Sequence, residues 1–270
     1  MAPYFFYPSV SLKKHISKYW YWINTPSIPA LPPGSGCELF IFNQNVAIYD
    51  AAEPEQVHYV NSALIRPRNA PVHFFCQKPI SFMSIRFRLG AINYFSDYLE
   101  SELKTIISAE DIWGAKFYFL RDRILNTPQF IDKIKEIEKF LHQKHNIHTN
   151  NKIDLASLFL NEVYYDNNND SIIDIVHNIG YSQRHLQKTV KFVTGLSLVE
   201  AKRLIRFEHT LKYIINKNSI KSNKQDHLLY YYDQSHFIKE FSHFTGISPS
   251  KFFIENKDIS HFFNQVNSEN

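Results

Sequence analysis

Glycine is scarce in this chain, with only 7 in 270 residues, alongside 2 cysteines and 2 methionines. No Gly-rich phosphate loop and no nucleophile elbow can be drawn from so few. Cys37 and Cys76 form no metal-binding spacing, and fit free thiols in a reducing compartment better than a disulfide. No apolar run approaches the roughly 18–20 residues that a membrane span needs. The first residues, Met1-Ala-Pro-Tyr-Phe-Phe-Tyr-Pro8, lack the basic stretch and small-residue cleavage site of a signal peptide. The expectation is a cytoplasmic chain with no membrane partner.

Aromatic residues are abundant, at 23 Phe, 16 Tyr and 3 Trp, or 16% of the chain. This is a globular composition, and the length allows two domains, each with its own core. The net charge of +4 is unevenly spread. Between Ser171 and Lys257, thirteen basic residues face seven acidic ones, a surplus of six that leaves the remainder about two negative. Such asymmetry favours an anionic partner for the C-terminal part. On charge alone, a merely solvated basic face carries equal weight.

The chain changes character near its middle. Runs rich in β-branched and aromatic residues occupy 19–23, 38–42, 57–60, 72–76 and 81–88. Several alternate apolar with polar, as half-buried strands do, and Pro32-Pro33-Gly34-Ser35-Gly36 marks a turn. A small antiparallel sandwich or barrel is expected. After Gly90 the period lengthens, and 91–99, 116–125 and 130–144 read as helices; the last carries Ile131, Ile134, Ile137, Phe140 and Leu141 on one stripe. The polar stretch 145–151 places a boundary there. Beyond it, helices are expected over 153–165, 171–178, 182–193, 197–216, 221–229, 233–244 and 248–254, with a loop at 166–170 and a loose tail at 258–270. The fold class is therefore α+β multidomain, with a β-rich unit and its following helices over 1–149 and an all-α unit of seven helices over 150–257.

The all-α unit contains one pattern twice. Leu186–Ala201 and Phe237–Phe252 both place a lysine two residues in, and both run through Thr-Gly-apolar-Ser; their glycines, Gly195 and Gly246, lie 51 residues apart. A Gly that ends one helix and a Ser that caps the next is the chemistry of a tight corner. A unit used twice with its basic residue in one place suits a surface read at two points, as DNA is.

Each copy sits in a helix-turn-helix pattern. In the first, Ile172, Ile175, Val176 and Ile179 make a one-sided helix, Gly180 turns the chain, and Ser182 caps a second helix. Leu186, Val190 and Val193 would face inward there, leaving Gln183, Arg184, Gln187, Lys188 and Lys191 outside. Arg can bond the O6 and N7 of guanine, and Gln the N6 and N7 of adenine; an ordinary helical hairpin is the competing reading. In the second, Asp233 caps a helix with Phe237, Phe241 and Phe244 inward and Gln234, Ser235, Ile238, Lys239 and Ser242 outward. The connecting helix has room to set two recognition helices about one DNA turn apart. Its Arg203 and Arg206 suit either a phosphate clamp or pairing with Glu200 and Glu208, and the two options weigh equally.

The strings Ile179-Gly-Tyr-Ser-Gln-Arg-His-Leu186 with Thr194-Gly-Leu-Ser197, and Asp233-Gln-Ser-His-Phe237 with Phe241 and Thr245-Gly-Ile-Ser-Pro249, resemble the AraC/XylS family of bacterial transcription regulators. The resemblance covers about residues 152–256. It implies a seven-helix domain with two helix-turn-helix units that binds double-stranded DNA. Base reading would fall on Gln183, Arg184, Gln187 and Lys188 in the first unit, and on Gln234, Ser235 and Lys239 in the second. The second unit departs from the pattern at Asp226, Tyr230, Tyr232 and Ile238, so it is expected to add grip more than sequence reading. Stretches at 31–42, 85–90 and 111–114 more loosely resemble an N-terminal domain that precedes this DNA-binding domain in many regulators. A small-molecule effector, a homodimer and, for an activator, RNA polymerase are the further partners implied.

The β-rich unit offers no catalytic or metal constellation, and no enzyme is expected. His58 and His73 lie on separate strands, Cys37 has no base partner, and no cofactor is expected. Arg86 and Arg88 suit salt bridges to neighbouring strands better than an anionic ligand. Tyr19, Trp20, Tyr21 and Trp22 read as core and wall. The alternative function is a ligand- or protein-binding module whose helical half no longer binds DNA.

Overall fold

The computed structural model describes residues 4–145, 150–166, 170–216 and 231–255. Its strands are β1 (Tyr4–Phe6), β2 (Ile16–Thr25), β3 (Glu38–Asp50), β4 (His58–Ile65), β5 (Val72–Phe75), β6 (Ile80–Phe87) and β7 (Ile106–Ile107). All seven belong to one antiparallel sheet, in the order β1-β2-β6-β3-β4-β7, with β5 paired to β3. The helices are α1 (Ala109–Trp113), α2 (Ala115–Asn126), α3 (Phe130–Lys144), α4 (Asn151–Tyr165), α5 (Ile172–Ile179), α6 (Gln183–Thr194), α7 (Leu198–Asn216), α8 (Gln234–Thr245) and α9 (Pro249–Glu255).

Period-two alternation sorts the strand side chains onto two faces, and both are apolar. Tyr19, Leu39, Ile41, Met83 and Ile85 go to one face, which α1 to α3 cover with Ile112, Trp113, Phe117, Leu120, Ile134, Ile137 and Phe140. Trp20, Trp22, Phe40, Phe42 and Phe82 go to the other. That face is covered by the C-terminal half, through Leu204, Phe207 and Leu211 of α7 and Phe237, Phe241 and Phe244 of α8. A sheet with two apolar faces needs two covers, and the chain supplies the second from its helical half. A third cluster joins α4, α5, α6 and the start of α7 around Phe159, Leu186 and Val190, with Leu89 at its edge.

The five expected strands are present, several of them longer than their apolar runs. Asn43, Gln44 and Asn45 fall where the β3–β4 register shifts between Ile41 and Val46, and the strand then resumes with Val46 and Ile48 inward. The helix expected over 91–99 is only a 3₁₀ turn at Ala91–Tyr94. The Phe95 carbonyl accepts from the Trp113 indole at 2.8 Å instead of from a later amide. Helices α2 to α9 match the expected ones within two residues at each end. The helix expected at 221–229, with Asp226, lies outside the described residues, as do Tyr230 and the tail at 258–270. Among the described residues, no helix is long and apolar enough to cross a membrane.

The glycines of the 32–36 turn permit close approach. A Cβ on Gly36 would stand 2.0 Å from the Phe87 carbonyl oxygen, and one on Gly34 would stand 2.6 Å from the Arg86 guanidinium. The loop is thereby pressed onto β6. Gly36→Ala is expected to cost at least about 1–3 kcal/mol, the range for forced overpacking, read as a lower urea midpoint. An unchanged midpoint would show that the loop and β6 separate without cost.

Candidate nucleic-acid interface

The two copies of Thr-Gly-apolar-Ser build the same corner. Thr194 Oγ1 donates to the Val190 carbonyl (2.8 Å) and accepts from the Leu196 amide (3.1 Å). Thr245 Oγ1 likewise donates to the Phe241 carbonyl (2.8 Å) and accepts from the Ile247 amide (3.4 Å). Gly195 and Gly246 then take left-handed φ values of 80° and 75°, where a Cβ would be strained. Ser197 and Ser248 cap the next helices by accepting from the amides of Glu200 and Lys251. The corner before α6 is equally orthodox, with Gly180 at φ 79° and Ser182 accepting from the His185 amide. Asp233 caps α8 by accepting from the His236 amide at 2.7 Å. Tyr232, one of the departures of the second unit, is out in solvent.

The expected inward residues Leu186, Val190, Val193, Phe237, Phe241 and Phe244 are buried. On α6, Gln183, Arg184, Lys188 and Lys191 are exposed. Gln187 is half-buried, and its Oε1 accepts from the Leu198 amide at the start of α7. On α8, Gln234, Ser235 and Lys239 are exposed. Arg203 and Arg206 pair neither with Glu200 nor with Glu208. Both reach across to Glu240 of α8, at 3.2 and 2.6 Å, and Glu240 itself is only 4% exposed. The reason is spacing: α7 and α8 pack side by side through Phe207, Phe241 and Phe244, so an acid on the buried flank of α8 lies beside the α7 arginines. Arg206 also lies 5.0 Å from the Tyr231 ring centre.

The N-terminal half grips the far end of α6. Arg66 donates to the Thr194 carbonyl (3.0 Å) and the Leu103 carbonyl (2.5 Å), and Ser101 Oγ donates to the Phe192 carbonyl (2.6 Å). A cation and a hydroxyl on the last carbonyls satisfy groups that the helix leaves open and complement its dipole. Close to Arg66 lies Glu100, fully buried. Burial pushes its carboxyl up to about 8, against the pull of Arg66, the Gly90 amide and the Cys37 thiol.

A second junction joins α7 to the sheet. Glu208 Oε2 accepts from Arg86 (2.9 Å), the Ser35 amide (3.0 Å) and the Ser35 hydroxyl (2.5 Å), while Oε1 accepts from Lys212 (2.5 Å). Arg86 also bonds Glu38 on the neighbouring strand at 2.9 Å, and Glu38 accepts from Ser84. Burial alone would raise the Glu208 carboxyl and lower the Lys212 ammonium. The charges of Lys212 and Arg86 outweigh it for Glu208, which is held well below the usual carboxylate range, and Glu208 holds Lys212 above the usual lysine value. Arg86 therefore does bridge to a neighbouring strand, as expected, and to α7 besides. Arg88 instead lies over the Tyr164 and Tyr165 rings, at 5.6 and 5.9 Å. Glu38, Arg86, Arg88, Tyr164, Glu208 and Lys212 border a cavity of about 450 Å³ between sheet and helices, whose wall also includes Ile16, Lys18, Trp20 and Leu31. No group of His, Cys, Asp and Glu suited to a metal occurs among the described residues.

Neither junction is legible in the order of residues. The members of the second are spread from Ser35 to Lys212, and the bond from Arg66 to Thr194 joins residues 128 apart. No local motif marks contacts of that range.

Glu240→Ala leaves Arg203 and Arg206 without their acid and is expected to cost about 2 kcal/mol, discounted for the partial exposure of both arginines. Chemical denaturation measures it, and an unchanged midpoint would mean the clamp is idle. Glu100 has a folded value of about 8 against an ordinary 4.5. The stability carried by its neutral form is complete below the ordinary value and is lost as pH rises through about 8. Glu100→Gln is therefore expected to match the parent in Tm near pH 4 and exceed it at pH 8, and parallel Tm curves would contradict this.

Residues 175–254 match the family model described as a helix-turn-helix domain, of the AraC type. No curated protein matches the chain. Among solved structures, ToxT from Vibrio cholerae O395 is 14% identical, with a TM-score of 0.50 over 87% of this chain and 96% of that one. ToxT from Vibrio cholerae strain SCE256 bound to an unsaturated fatty acid is 12% identical, with a TM-score of 0.50 over 89% and 95%. The O395 protein bound to (E)-4-(8-methylnaphthalen-1-yl)but-3-enoic acid is 12% identical, with a TM-score of 0.50 over 87% and 97%. At these identities the likeness is one of fold. Residues 175–254 are thus a helix-turn-helix domain of the AraC type, carried on an α+β fold like that of ToxT.

Proposed function

We propose that residues 150–257 bind double-stranded DNA by placing α6 and α8 in successive major grooves, under the control of a small molecule held against residues 1–149. The observation that carries this reading is the corner built twice, which presents two capped helices with exposed polar and basic side chains. Helix α7 between them has 19 residues, roughly 28 Å, to set against a DNA turn of about 34 Å. Base reading is assigned to Gln183, Arg184 and Lys188, with Lys191 on phosphate. Gln187, bonded to the start of α7, serves to hold the corner or reads a base after releasing that bond. On α8, Gln234, Ser235 and Lys239 add grip. Arg203 and Arg206 orient α8 through Glu240 and are not assigned to phosphate.

The cavity between sheet and helices suits an effector with an acid at one end and an apolar body. Lys18, Arg88 and Lys212 supply positive charge, and Ile16, Trp20 and Leu31 supply apolar wall. ToxT with an unsaturated fatty acid bound supports a ligand of this class.

DNA selected from random sequence by the protein gives the test. Arg184→Ala is expected to relax preference at one base position by about 1–3 kcal/mol. Affinity is expected to fall steeply between about 50 and 200 mM salt, on the order of the counterions released. Unchanged base preference in Arg184→Ala removes the groove assignment. Salt-insensitive or absent DNA binding favours the ligand- or protein-binding module instead.

A further inference from the structure

We propose that Glu208 is the resident counter-ion of the cavity, and that an acid ligand competes with it for Lys212, so that α7 registers whether the cavity is filled. This rests on the cavity being the effector site.

The two oxygens of Glu208 have separate tasks. Oε2 takes the three bonds that cross to the sheet and the 32–36 loop, from Arg86 and twice from Ser35. Among the described residues, Oε1 takes only Lys212, one turn further along the same helix. The Lys212 side chain is one-third exposed and also reaches the Tyr164 hydroxyl at 3.1 Å, so it has room to turn. Glu208 is 5% exposed and does not.

Charge in the cavity is out of balance. Lys13, Lys18, Arg86, Arg88 and Lys212 face only Glu38 and Glu208. Arg86 holds both carboxylates. Lys18 has no carboxylate within ion-pair distance among the described residues, and the charge of Lys212 adds to burial in making it a weaker base. An anion placed between Lys18 and Lys212 relieves that repulsion. It also sets a second carboxylate beside Glu208, and like charges sharing one ammonium oppose each other. Lys212 is then shared, and Glu208 is left to Arg86 and Ser35. Because α7 contributes Leu204 and Phe207 to one core and Leu198, Ala201 and Ile205 to another, a change at Glu208 reaches both helix-turn-helix units.

The test uses the full chain and sodium oleate below its micelle concentration, followed by calorimetry. Glu208→Gln keeps the size and the Ser35 contacts but removes the charge. It is expected to bind oleate about tenfold more tightly than the parent, while oleyl alcohol, which lacks the charge, binds both alike. Lys212→Met is expected to weaken oleate about tenfold. Oleate is expected to change the DNA affinity of the parent at least about fivefold, and Glu208→Gln to abolish that change. Should Glu208→Gln fail to fold, Glu208→Asp, which keeps the charge but withdraws it from Lys212, is expected to show a smaller gain in the same direction. Equal or weaker oleate binding in these Glu208 variants overturns the competition while leaving the effector site standing. A parent whose DNA affinity ignores bound oleate overturns the coupling through α7. No oleate binding to the parent, or binding indifferent to Lys212→Met, overturns the effector site and this proposal together.

Discussion

Two carboxylates from different parts of the chain converge on the Arg86 guanidinium, where the sheet meets the helices. Burying such charges is expensive, and the arrangement holds only because the remaining lone pairs are also satisfied. Ser84 serves Glu38, while Ser35 and Lys212 serve Glu208. The 32–36 turn brings Ser35 there, and its glycines leave the space that Arg86 and β6 occupy. With that junction made, α7 lies on the second face of the sheet, and Phe40 and Phe207 share one core.

Helices α6 and α8 are held by different parts of the molecule. The end of α6 is gripped from the N-terminal half by Arg66 and Ser101, on carbonyls the helix leaves open. The flank of α8 is gripped from α7 by Arg203 and Arg206 through Glu240. The N-terminal half thus bonds the first unit directly, and meets the second through α7 and the apolar core they share.

Local features are legible in the sequence. The helices show their 3.6-residue stripe, and the corners show Gly and Ser at fixed offsets, so Gly180, Ser182, Gly195 and Asp233 can be assigned from residue order alone. The exposed face of α6 follows from the same stripe. What lies hidden is contact between distant residues. Glu208 and Glu240 look like surface acids on helices, because periodicity reports how much of a helix is apolar but not which element covers its flank. The 91–99 segment misleads for a related reason: bonds from outside its helical pattern take its groups, the Trp113 indole on the Phe95 carbonyl and the Glu100 amide on the Asn93 side chain.

The repeated Thr-Gly-apolar-Ser corner has an evolutionary consequence. The bonds that its two copies share are made within about one helical turn on either side of the glycine, by backbone and by the Thr and Ser hydroxyls. These shared bonds leave the outward side chains of α6 and α8 aside, and Gln187 adds a bond to the Leu198 amide in the first copy. The residues that meet a partner can therefore drift while the scaffold presenting them stays unchanged, which lets one architecture acquire new targets by a few surface substitutions at a time.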